Sequence, residues 1–455
     1  MASVDTAELV ERIWSRDATL WTGRDEARWL GWLDEPKRMA ERVGELEAFA
    51  AETMDFAHLV LLGMGGSSLA PEVLRQTFAG DRLHVLDTTH PAAVRRLADQ
   101  LDLERTLFLV ASKSGTTLET RCHLDFFWER VGRGEHFVAI TDPGSELEAL
   151  AGERGFLRTF TGEPTIGGRY SALSVFGLVP AALLGIDLTR LLERVEEMAE
   201  ACRLAEGNPG LELGEALGRG WREGRDKVSI SPNPGGFGLW AEQLLAESTG
   251  KQGKGLVPVP GVTAEGPDRQ AAEVRLPDPY ELGQEFYRWE FATAVAGSIL
   301  EINPFDQPNV QEAKDRTNDV LLGHDSVPGT GTGPEGSVEE LLAGAEPPEY
   351  VCIQAFVDPE REDELQPLVS RAAETGCVVT HGLGPRYLHS TGQLHKGGPP
   401  TGRFIQVVDE PGEELPIPSR NFGFARLIHA QAAGDFASLA GRGRPIVRIR
   451  LEDVV

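Results

Sequence analysis

The feature that most constrains this chain is a rhythm. Between His58 and Glu163, short apolar runs are each closed by a glycine-rich or polar turn and followed by a helix-forming stretch. HLVLLGMGG reads as a strand and turn before a helix through Ala79. RLHVLDTTH is a second strand with Pro91 to Gln100 helical, and TLFLVASKSGTT a third that leads into a helix from about Leu118. HFVAITDPGS and GFLRTFTGE supply a fourth and a fifth. Short apolar strands alternating with helices predict a parallel sheet covered on both faces. After helical stretches to about Gly224 the rhythm restarts with DKVSISPN, an amphipathic helix over Leu239–Glu247, LVPVPG and AAEVRL. A long apolar helix (about Glu281 to Leu300), the loop INPFDQPNV and another helix follow. SVPGTGTGPEGS, Ser326 to Ser337, has the composition of a linker. YVCIQAFVD, GCVVTHGLG, RFIQVVD and PIVRIRLED then complete the second sheet. The expected fold class is α/β, with two doubly wound domains whose mainly parallel sheets are flanked by helices. The expected divisions are an N-terminal helical cover (1–55), a first domain (56–210) and a second (211–455) with a linker near 326–337.

Charge limits the partners. The formal net charge is -27, from 44 basic and 71 acidic side chains. Such a field repels nucleic acid and anionic membranes, so an anion bound here must be captured locally. The longest apolar window, Val175 to Leu188, is interrupted by Gly177, Pro180 and Gly185, too broken to span a bilayer. The N-terminus is acidic where a signal peptide would be basic, so a cytoplasmic location is expected. Cys122, Cys202, Cys352 and Cys377 form no CxxC pair and read as core residues rather than metal ligands or disulfides.

Three turns of the first half could carry chemistry. GMGGSS (Gly63–Ser68) lies between a strand and a helix, where glycines let backbone amides approach an anion at a helix N-terminus. SKSGTT (Ser112–Thr117) repeats the arrangement with four hydroxyls, which suit a phosphate monoester. GGRYS (Gly167–Ser171) brings in Arg169. A dinucleotide-binding reading competes, with Gly63 and Gly65 as GxG and Asp87 ending the second strand. However, Ser68 replaces the third glycine, and SKSGTT is left without a role. In LWAEQLLAESTGKQGKG (Leu239–Gly255), Gln243 and Glu247 are four apart on one helix face, beside Lys251 and Lys254. Glu247 is there a candidate general base.

GMGGSS, SKSGTT, GGRYS, QLLAESTGK and NPFDQPNVQEAK, in this order over residues 63 to 314, together resemble the phosphoglucose isomerase family, built from two sugar-isomerase (SIS) domains. The resemblance implies a metal-free and cofactor-free aldose–ketose isomerase acting on glucose 6-phosphate and fructose 6-phosphate. Gly66, Ser67, Ser112, Lys113, Ser114 and Thr117 would line the site and hold the phosphate. Gln243 and Gln307 would contact substrate, Glu247 would move the proton between C2 and C1, and Arg169 would stabilise the enediolate. Lys314 would face the sugar ring. Wider tolerance, including mannose 6-phosphate, and a non-catalytic sugar-phosphate sensor remain as alternatives.

One departure concerns ring opening. The family's ring-opening histidine lies between the ESxGK and NPFDQ motifs, but Gly255 to Ile302 contains no histidine. The nearest match is GPRYLHSTGQLHKGGP (Gly384–Pro399), which offers His389, or else His395, for that role. The rearranged order is similar to the isomerase part of fused transaldolase–glucose-6-phosphate isomerases. Association with a transaldolase and a homodimer are therefore open partner expectations. A metal site built from His381, His389 and His395 finds no acidic residue to complete it.

Overall fold

The computed structural model describes residues 6–321, 335–418 and 420–454, without the side chains of 310–315. The expected linker therefore lies mostly outside the described residues. The first sheet contains β1 (His58–Leu62), β2 (Leu83–Leu86), β3 (Thr106–Ala111), β4 (Phe137–Thr141) and β5 (Arg158–Thr161). All are parallel, in the order β2-β1-β3-β4-β5. Every residue of β3 and β4 is buried, as continuous apolar runs with helices on both faces require.

The second half differs in one respect from the single sheet expected of it. β6 (Lys227–Ile230), β7 (Val257–Pro260) and β8 (Arg269–Ala272) form a parallel sheet in the order β7-β6-β8. β9 (Tyr350–Phe356), β10 (Val378–Leu383), β11 (Gly402–Val408) and β12 (Ile446–Arg450) form another, in the order β10-β9-β11-β12. β7 and β10 lie beside each other, but no ladder joins them among the described residues. Proline explains the seam. The Val257 amide donates toward β6, to the Asp226 carbonyl at 2.8 Å. The alternate positions Pro258 and Pro260 therefore face the outer edge and have no N–H to offer. Side chains close the gap instead: Val257, Val259, Tyr350, Cys352, Val378 and Phe404 share one core cluster.

The N-terminal helices Thr6–Trp14, Glu35–Ala40 and Val43–Glu52 pack into the main core. Trp32 stacks on Tyr170 with ring centroids 5.5 Å apart, and the Trp21 indole donates to the Ala294 carbonyl at 2.8 Å. Ala294 belongs to Leu282–Leu300, a helix buried along nearly its whole length. No helix among the described residues is long and apolar enough to cross a membrane.

The strand order reverses direction between β1 and β3, which opens a crevice at the carboxyl ends of those strands. The turn after β1 is pressed there against the loop Gly167–Ser171. A Cβ on Gly66 would lie 2.1 Å from the Gly168 carbonyl oxygen, whereas one on Gly168 meets nothing within 4 Å. Gly66→Ala is therefore expected to lower unfolding free energy by about 1–3 kcal/mol. Gly168→Ala should stay within about 0.5 kcal/mol of wild type, both measured by urea unfolding. Equal effects of the two would contradict this contact.

Candidate active site

The crevice opens into a cavity of about 700 Å³. It is lined by Gly66 and Ser67 of the first turn, by Lys113, Ser114 and Thr117 of the second, and by Gln243, Glu247, Gln307 and His389 from the second half. Asp25, Arg28 and Trp29 of the N-terminal segment close another side.

The second turn suits an anion. The helix Leu118–Val131 starts behind Thr117 with no side-chain cap, leaving its first-turn amides for an anionic ligand. The Ser114 hydroxyl lies 2.8 Å from that of Thr116. Ser112 stands behind the turn rather than on the cavity wall. Its hydroxyl accepts from the Gly115 amide at 3.1 Å and lies 3.0 Å from Thr117 Oγ1. Gly115 adopts φ +73, a conformation glycine takes without strain. Lys113 is paired with Asp142 at 2.6 Å and reaches the Glu163 carbonyl at 3.3 Å.

At the other end, the helix Gly238–Thr249 presents Gln243 and Glu247 together. Gln243 Nε2 donates to Glu247 Oε2 at 2.9 Å and to the His389 carbonyl at 2.9 Å. Gln243 Oε1 is buried without a hydrogen-bond partner in the protein. Glu247 Oε1 lies 3.3 Å from a terminal guanidinium nitrogen of Arg169. Arg169 is 1% exposed. It also donates to Ser248 Oγ at 2.7 Å, Gln307 Oε1 at 2.6 Å, and the carbonyls of Pro304 and Asp306 at 2.8 and 3.0 Å. It therefore reaches the cavity through Glu247 and Gln307. Lys251 is buried against the same loop, donating to the Asn303 carbonyl and to Asp306 Oδ1 at 2.8 Å each. Burial, helped by Arg169, pulls its ammonium down to about 8.

The two candidate histidines are well separated in character. His389 lines the cavity and its Nε2 lies 3.0 Å from Glu119 Oε1. A carboxylate only accepts, so Nε2 carries the proton and Nδ1 is left as the basic nitrogen. His395 is in the core, 3.5 Å from Cys352 Sγ and 3.2 Å from the Gln354 amide nitrogen. Burial there pushes its imidazole well below its ordinary range. His381 pairs with Glu362 at 3.3 Å, at a more exposed position. Asp87, the ribose-binding candidate of the dinucleotide reading, is held by both nitrogens of an Arg386 fork at 2.8 and 2.9 Å. Lys314 belongs to the helix Val310–Leu321, but its side chain lies outside the described residues.

Glu119 is the functional candidate the sequence reading missed. It sits in the first turn of the helix after SKSGTT, where an acid is commonplace for helix-dipole reasons. Its position five residues after Ser114 became informative only once His389 was found against it.

Comparison with known proteins places this geometry. Residues 26–208 match the family model of phosphoglucose isomerase. A glucose-6-phosphate isomerase of Carboxydothermus hydrogenoformans is 28% identical, over 71% of this chain and 89% of its own. One from Thermus thermophilus is 36% identical over 54% of this chain and 62% of its own. One from Gloeothece citriformis is 32% identical, and the chain spans only 51% of that relative's length. The fold is similar to the crystal structure of a glucose-6-phosphate isomerase from Chlamydia trachomatis, with TM-score 0.54 and 21% identity over 70% of this chain and 79% of that one. The chain is thus similar to phosphoglucose isomerases, by the family model over residues 26–208 and by the relatives over the spans given.

Proposed function

We propose that the protein interconverts glucose 6-phosphate and fructose 6-phosphate. The observation that carries this reading is the pairing, in one cavity, of a carboxylate fixed by a buried guanidinium with a histidine–carboxylate dyad. A module that only sensed sugar phosphates would need the anion-binding turns but neither of these.

In this reading the phosphate sits on the amides and hydroxyls of Ser67, Ser114 and Thr117 and on the helix N-terminus at Leu118. His389, oriented by Glu119, carries the proton between ring oxygen and O1 as the pyranose opens. Glu247 then takes the proton from C2, the electron pair forms the C1–C2 double bond, and the aldehyde oxygen becomes an enediol oxygen. The same carboxyl returns the proton to C1 while the O2–H proton passes to O1, which leaves O2 as the ketone oxygen. Charge builds on O1 and O2 beside Arg169 and Gln307, whose rigid placement favours that stage over the bound sugar. Gln243, which lines the cavity, would contact the substrate.

Formation of fructose 6-phosphate from glucose 6-phosphate, measured in EDTA, tests the proposal. Wild type should turn over, and Glu247→Gln should lose about 1,000-fold in kcat. The variant should still bind 6-phosphogluconate in calorimetry. No wild-type turnover with intact sugar-phosphate binding would leave a sensor.

A pH profile gives a second check. Lys251 holds the Asn303–Asp306 loop as an ammonium, and its pKa lies at about 8. Raising the pH through that value removes the charge that pairs with Asp306, so kcat/KM should decline above about pH 8. Lys251→Met should lower the plateau about tenfold and abolish that decline. An unchanged alkaline limb in the variant would assign the titration to another group.

A further inference from the structure

The dyad of His389 and Glu119 is itself braced by residues outside the cavity wall. Gln431, on the helix Phe424–Gly441, donates from Nε2 to Glu119 Oε1 at 2.7 Å, the same oxygen that faces His389 Nε2. The far end of the Gln431 amide accepts from Thr89 Oγ1 at 2.6 Å. Thr89, in the loop after β2, is 0% exposed, Gln431 2% and Glu119 6%. A glutamine amide could in principle be turned end for end. Here a carboxylate accepts only, so Nε2 must face Glu119, and the Thr89 hydroxyl completes the other end.

We propose that Gln431, with Thr89 behind it, is a positioning residue for ring opening: it fixes the Glu119 carboxylate so that His389 presents Nδ1 to the sugar. This rests on the isomerase reading above. A buried carboxylate that loses a short N–H donor is held less firmly. The oxygen that selects the His389 tautomer is then less tightly fixed. The arrangement also ties the two halves of the chain together at the site. Thr89 and Glu119 come from the first sheet's connections, and Gln431 and His389 from the segment after residue 384.

The test is a double-mutant cycle on kcat with Gln431→Leu and Glu119→Gln. Gln431→Leu alone should lower kcat about tenfold, with KM and 6-phosphogluconate affinity unchanged. In the Glu119→Gln background it should cost less than twofold further. In parallel, imidazole nitrogen NMR, with the His389 signal assigned by its loss in His389→Gln, should show the Nε2–H tautomer dominant in wild type. It should show a tautomer mixture in Gln431→Leu. Additive losses in kcat, or an unchanged His389 tautomer, would overturn the inference. If wild type has no isomerase activity the proposed function fails, while the tautomer measurement still decides whether Gln431 orients the dyad. Gln431→Glu, which can donate when protonated but repels Glu119 when ionised, guards against a simple packing defect in the leucine variant. It should lower kcat at neutral pH and recover toward lower pH; no recovery, in a variant of wild-type thermal stability, would also count against the proposal.

Discussion

The Arg169 guanidinium is the interaction on which the site depends. Burying it without using its donors would cost several kcal/mol. Its acceptors come from two stretches distant in sequence: Glu247 and Ser248 on one helix, and the NPFDQ loop, which supplies the carbonyls of Pro304 and Asp306 and the amide oxygen of Gln307. The loop Gly167–Ser171, the helix Gly238–Thr249 and the NPFDQ loop thus satisfy one charge together, and displacing any of them leaves that charge short of partners. A lysine could not replace the fork, because a single ammonium cannot address side-chain and backbone oxygens spread over that plane. The Glu247 carboxylate inherits its rigidity from this shared anchor.

The same accounting bears on how a chain of net charge -27 could hold the proposed sugar phosphate. Two nearby cations are already paired, Lys113 with Asp142 and Arg169 with Glu247, while Arg28 lines the cavity from the N-terminal segment. In the proposed reading, dipoles hold the anion alongside Arg28: the uncapped helix behind Thr117, the first-turn amides and the hydroxyls around them. Such groups act over a few ångströms and need no favourable long-range field. The global charge then affects how often an anion arrives, not how it is held.

Much of this was legible in the chain. Apolar runs without alternation announce parallel strands, and the four-residue spacing of Gln243 and Glu247 announces a shared helix face. What escaped did so for physical reasons. Glu119 occupies a position where any helix welcomes an acid, and Gln431 lies in an alanine-rich helix whose pattern reads as core. Neither carries a signal until tertiary packing brings Glu119 to His389 and Gln431 to Glu119. The seam between β7 and β10 was visible as Pro258 and Pro260, but its meaning depends on which edge those prolines face. Only the register with β6 decides that.

In the proposed reading, His389 would let the site survive a change in chain order. The family model stops at residue 208, and His389 arrives from far beyond it, on the turn after β10. Its backbone is read as closely as its ring. The carbonyl accepts from Gln243, a Cβ on Gly65 would lie 2.7 Å from it, and Arg386, three residues earlier, grips Asp87. Glycine at position 65 is thus needed for its φ of +56 and also for the approach of a segment from the far end of the chain. These contacts specify where an imidazole must stand, not which stretch of sequence must supply it. A segment that can dock on Gly65, Gln243 and Asp87 from either side of the NPFDQ motif delivers the same nitrogen to the same cavity. Here that segment belongs to the same chain as Glu247, and both residues line one cavity.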